Sequence, residues 1–478
     1  MKEWRRAEAV YREALQARKH YLKVRQIEGV SGEAGNSSEV EVKFKLHQCY
    51  VAMGQPNQAI NILQSIIAKN RTARVSMALG RLYHQNGMER PAIAAYREVV
   101  RECPLALEAI RLLLTLGVKP KEVQELTLDG LGGMVDSGQL DWLGGWLAGQ
   151  AALYSREYDV AVRELRGLEE RGCMRGSVGV LVDQGLAHHW AGEVDQAVTV
   201  LGRAAGLAPQ NMRGMDSLAA LYAQLGKIRE LESLATRLMG VSEEQPQPWV
   251  AMGHFCHLNK KSPKAVYFAH KACLLDTRNV EALLLKGQVL LDLKKLPDAM
   301  NHFREALQLA PHRFEAHRGM VDCYLGLSRQ REAVTVATGA CKHLSNSPRS
   351  LTLYATVLLK EPLSCARAKS LLEKAAGTGH LPAVYLLVEL LDREGATQRA
   401  VELLTSQLVH TSTATLHQKL GDMLARVGQG QEEKAVEHYS RALALDPKNE
   451  GAIQGLQKME ANTDGMEASY DMNDMEEV

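Results

Sequence analysis

Small and apolar residues return along this 478-residue chain at helical spacing, in short bursts separated by polar turns. In its fullest form the burst is Ala, an aromatic or Leu four residues later, and a small residue three after that. Ala299, Phe303 and Ala306 show it, as do Ala435, Tyr439 and Ala442. Steps of four and three lie on one face of a helix. Copies begin at Ala59, Ala92, Ala161, Ala197, Ala265, Ala299, Ala333, Ala368, Ala400 and Ala435. The intervals are 33, 69, 36, 68, 34, 34, 35, 32 and 35 residues. The two long ones are each about twice the others, so each hides one degenerate copy.

A second helix precedes each burst. One unit has Gly80, Tyr83, Ala92, Tyr96 and Pro104; another has Gly185, Ala197, Ala204 and Pro209. Others have Trp249, Gly253, Ala265 and Ala272, or Gly421, Ala435, Tyr439, Ala442 and Pro447. Glycine and alanine let paired helices approach closely, and the aromatic fills the space between successive units. Pro311 and Pro447 stop the second helix. Gly87, Gly192 and Gly395 fall where the chain reverses. A helix-turn-helix unit of about 34 residues is the tetratricopeptide (TPR) repeat. The predicted fold is an all-α TPR superhelix, an α-solenoid.

The repeats set the organisation. Ala7, Tyr11 and Ala14 match the second helix of a unit with nothing before it, so residues 1–22 are expected to be a half unit. A lone half unit should leave Tyr11 and its neighbours facing water. Residues 23–39, with the Gly/Ser-rich run Gln26 to Ser38, read as a flexible loop. Residues 40–449 hold about twelve helix pairs, 450–461 a capping helix, and 462–478 an acidic disordered tail. From Glu460 to Val478 there are seven acidic and no basic residues.

Composition removes several function classes. Lys+Arg 57 against Asp+Glu 56 gives no global field to hold nucleic acid or an anionic membrane. No apolar run approaches the roughly 20 residues that span a bilayer. The eight cysteines include no CxxC pair, which points to free thiols in a reducing compartment, cytosol or nucleus.

No catalytic, cofactor-binding or metal-ligating residue is assigned. The sequence holds no GxxxxGK[ST], GxSxG or HExxH. His188 and His189 are adjacent on one helix and point about 100° apart, so packing is the expected role. Asp129 to Gly133 (DGLGG) reads as a loop or loosened turn. Lys260-Lys261 and Lys294-Lys295 read as solubilising turn residues, and Trp142 and Trp146 as core between units. Asp474 to Val478 (DMEEV) is similar to the acidic tails that chaperone-binding TPR domains clamp, but lacks the closing Asp.

Several segments exceed what the repeat requires: Glu41 to Tyr50 (EVKFKLHQCY), Arg101 to Ile110 (RECPLALEAI), Leu140 to Trp146 (LDWLGGW), Ala282 to Gly287 (ALLLKG), His302 to Pro311 (HFREALQLAP) and Leu351 to Val357 (LTLYATV). They resemble the subunit-seven family of the anaphase-promoting complex, from about Trp4 to Glu460. The resemblance implies a non-catalytic scaffold of a multi-subunit ubiquitin ligase that marks mitotic regulators for proteasomal degradation. It implies no cofactor, a nuclear and cytoplasmic location with spindle association, and other TPR subunits of the complex as partners. It also implies a homodimer through the N-terminal repeats. Family members carry helices before the point matching Trp4, and their absence here should weaken that dimer. Two competing readings are weaker. A chaperone adaptor needs Lys and Asn on successive first helices, and Gln247 to Cys256 and Ala282 to Leu291 contain no Asn. An enzyme with a TPR substrate arm needs a catalytic domain that the repeats leave no room for.

Overall fold

A computed structural model describes residues 2–27, 36–132, 140–170, 174–361, 364–427 and 430–459. The tail expected over 462–478, with DMEEV, lies outside them. Among the described residues there is no strand. A first helix, Lys2–Ile27, precedes twelve helix pairs that run from Asn36–Ala52 with Pro56–Gln64 to Ala414–Val427 with Glu432–Leu445. A further helix occupies 450–459. The chain divides into two compact units, Met1–Lys286 and Gly287–Val478, each built from these pairs.

The repeat alanines do what their spacing demands. Ala59, Ala92, Ala161, Ala197, Ala265 and Ala299 are all fully buried. In the second unit, Gly287 on Val280–Asp292 and Gly319 on Phe314–Gly326 both abut the ring of Phe303 on Leu296–Leu309. The aromatic is thereby clasped between successive units at 1% exposure. Tyr439 is held in the same way between Gly421 and Gly455. In the first unit, a Cβ on Gly253 would sit 2.5 Å from Leu285 Cδ2.

One hidden copy is the pair Met215–Gln224 and Ile228–Val241. It is degenerate because Leu231, fully buried, stands 34 residues after Ala197, where the motif has alanine. The turns also keep the period. Gly192, Gly226, Lys260, Lys294 and Ser328 follow one another at 34-residue steps, all with positive φ. Lys260 and Lys294 are therefore turn residues held in a backbone state that favours glycine.

Three expectations need correction. The loop over 23–39 is shorter, because helix reaches Ile27 from one side and starts at Asn36 on the other; residues 28–35 lie outside the described set. Tyr11 does not face water. It and Leu15 are half-buried against the core of the following helices. Arg12 donates to the Tyr50 hydroxyl at 2.9 Å, and that hydroxyl donates to Glu8 at 3.2 Å. Finally, Asp129, Gly130 and Leu131 are not a loop but the end of helix Pro120–Leu131. Gly130 lets that turn pass Pro104, whose Cγ would lie 2.6 Å from a Cβ there, and Gly132 at φ +50° ends it.

Candidate interaction surfaces

The core between successive pairs is largely apolar, yet the first helices of several pairs in the first unit carry buried polar side chains. Asp183 lies in the apolar helix Val178–Ala191 and is fully buried. A lone carboxylate there would be untenable, and three neighbours answer it. Arg111 donates to Oδ2 at 3.1 Å and Gln150 to the same oxygen at 2.6 Å, while Arg213 pairs with Oδ1. The Arg111 guanidinium also lies over the Trp146 ring, 5.2 Å from its centroid. Thus residues from three successive pairs, and from the turn that leads into the next, meet at one carboxylate. Burial pulls the Arg111 guanidinium below its ordinary range, and Asp183 only partly offsets this.

A second cluster follows along the same side. Asp216 and Glu281 are both buried carboxylates. Asn279 donates to Asp216 at 3.0 Å, and Ser217 donates its hydroxyl to Glu281 at 2.9 Å. His189 Nε2 stands 3.6 Å from Glu281. Burial first, and the Glu281 charge second, push the Asp216 carboxyl up to about 6. Burial holds the nearby His254 imidazole down to about 4.

A contact between distant repeats completes this arrangement. Arg278 donates to Glu89 at 3.0 Å across 189 residues of sequence. Within the first unit the repeats therefore wind far enough for the turn after its seventh pair to touch its second pair. Among the described residues, no group of three or more His, Cys, Asp and Glu could hold a metal ion.

The residues singled out from sequence are placed as follows. His188 bonds Glu193 at 2.5 Å while His189 approaches Glu281, so the adjacent rings serve different partners. Trp146 is core at 1% exposure, and Trp142 packs partly buried beside it. Cys49, Cys256, Cys323 and Cys341 are buried free thiols. Sequence reasoning missed Asp183, Asp216 and Glu281. The available signal was an acid inside an apolar helical run, VGVLVDQGLAHHWA in the case of Asp183.

The tetratricopeptide repeat family model matches residues 49–106, 147–212 and 274–342. The human protein named anaphase-promoting complex subunit 7 is 36% identical over 99% of this chain and 85% of its own length. This chain belongs to the anaphase-promoting complex subunit 7 family. The Arabidopsis thaliana member is 27% identical over 98% of this chain and 86% of its own. A solved chain described as the crystal structure of the APC/C hetero-tetramer Cut9-Hcn1 shares the fold. Its TM-score is 0.59 at 15% identity, covering 89% of this chain and 84% of that one. Membership in the subunit 7 family spans every repeat described above, the buried Asp183 and Asp216 clusters included.

Proposed function

We propose that this chain is a non-catalytic TPR scaffold subunit of the anaphase-promoting complex, a multi-subunit ubiquitin ligase controlling mitotic progression. It acts by holding sister TPR subunits along its repeats. The observation that carries this reading is the 36% identity to the human subunit across 99% of the chain. A likeness of that extent covers the whole solenoid rather than one borrowed module. Homodimerisation through the N-terminal repeats, where Trp4 and Val10 are exposed on the first helix, belongs to the proposal only as a weak association. A nuclear and cytoplasmic location with spindle association belongs to it as well.

The test is affinity purification of the tagged chain from dividing cells with mass spectrometry. We expect the other subunits of the complex in stoichiometric amounts. The chain alone, with ubiquitin and its activating and conjugating enzymes, should build no ubiquitin chains. Recovery with chaperones in place of ligase subunits, or ubiquitin transfer by the isolated chain, would refute the proposal.

A further inference from the structure

The helix Ser262–Leu275 exposes large apolar side chains opposite its buried face. Ala265, Ala269 and Ala272 pack inward and are fully buried. On the opposite side Tyr267 is 60% exposed and Leu274 64%. Large apolar side chains gathered on an exposed face mark an interaction surface. The patch extends onto the preceding helix, Pro246–Leu258. Phe268 lies 5.9 Å from Trp249 and 5.5 Å from Tyr267, centroid to centroid.

The charges on this hairpin are one-sided. Residues 246–275 contain four lysines and no Asp or Glu, in a chain whose charges otherwise balance. Elsewhere in the first unit some exposed cations pair with a carboxylate on a neighbouring helix, as Arg81 does with Glu108 and Arg97 with Glu122. Among the described residues Lys260, Lys261 and Lys264 have no such partner, and the Lys271 ammonium rests over the Trp249 ring at 5.8 Å. The bordering acids lie outside the hairpin. Glu243 and Glu244 precede it, Asp276 caps its end, and Glu281 points into the buried cluster.

Spacing gives the patch a direction. Lys264 and Lys271 are seven residues apart, as are Tyr267 and Leu274. The order Lys, Tyr, Lys, Leu at steps of three, four and three forms one straight seam, the repeat by which helices pack side by side. We infer that the outer face of helix Ser262–Leu275 docks an acidic amphipathic helix of a partner protein. Tyr267 and Leu274 meet its apolar residues, and Lys264 and Lys271 meet its carboxylates. The charge of the hairpin selects the acidic partner, and the seven-residue spacing selects a helix.

The test places the photo-crosslinker p-benzoylphenylalanine at Tyr267, and separately at Leu274, in the full chain within dividing cells. Crosslinked peptides are then identified by mass spectrometry. We expect both positions to reach one segment of another protein, rich in Asp and Glu, with apolar residues seven apart. Lys264→Glu with Lys271→Glu should lower the crosslink yield by about tenfold or more. Lysines replacing the facing acids of the captured segment should restore it. Crosslinks to a neutral or basic segment overturn the inference. So do crosslinks to residues 460–478 of this chain or to a second copy, a yield indifferent to charge reversal, or no crosslink at all. Lys264, Tyr267 and Leu274 are exposed and Lys271 is half-buried at the surface, so melting curves of the variants should stay close to the parent's, which separates lost docking from lost fold.

Discussion

Gly287→Leu is the sharpest probe of the repeat geometry. A Cβ at 287 would stand 2.7 Å from Phe303 Cε1, 2.8 Å from Cζ and 3.0 Å from Cδ1. A leucine adds three further carbons to that clash. The ring has little room to move, because Gly319 also abuts it at Cζ, Cε1 and Cε2 and Phe303 is 1% exposed. Relief must come from separating helices Val280–Asp292 and Leu296–Leu309. Overpacking of this kind costs about 1–3 kcal/mol, and the blocked exit puts the expected value toward the upper end. For a unit of this size that corresponds to a fall in Tm of about 2–12 °C, followed by far-UV circular dichroism. Gly339 on Gln330–His343 has nothing within 4 Å of an added Cβ, so Gly339→Ala should be neutral or stabilise by about 0.5–1 kcal/mol. Adding Phe303→Leu to Gly287→Leu should recover much of the loss, since the two positions share one volume. A Gly287→Leu protein that melts with the parent refutes the assigned helix crossing.

Four further outcomes follow from the same contacts. Asp183→Ala leaves the part-exposed Arg111 and Arg213 and the buried Gln150 without their carboxylate and should cost about 1–3 kcal/mol in urea denaturation. Asp216 has a folded pKa of about 6, above its ordinary 3.8. Its favourable contribution is therefore complete below pH 3.8 and lost as pH rises through 6, so Asp216→Asn should gain more stability at pH 7.5 than at pH 5. Lys294→Gly relieves a positive φ of 62° and should raise stability by about 0.5–1 kcal/mol, read from the shift in urea midpoint. Thiol labelling of the native chain should modify exposed Cys103 first. Cys323, buried and pushed up to about 11, should react only after unfolding.

The sequence by itself determined the repeat. A 34-residue recurrence of Ala, aromatic and Gly is a statement about helix faces, and helix faces are local, so Gly253, Gly287 and the turn lysines could be placed before any coordinates. Degenerate copies stayed hidden where the same face was built from other apolar residues, as with Leu231. The end of helix Pro120–Leu131 was misread because Gly130 is there for a close approach to Pro104, which sequence spacing does not display. The tertiary structure alone decided the polar interior. Asp183 draws Arg111 and Arg213 from 72 and 30 residues away, and Arg278 reaches Glu89 across 189. Those distances are set by how many repeats complete a turn, a sum of small inter-helix rotations that no single motif encodes. The same holds for the outer face of Ser262–Leu275. Its composition is plain in the sequence, but only the packed structure shows which side Tyr267 and Leu274 occupy, because burial is decided by the neighbour that arrives and not by the residue that waits.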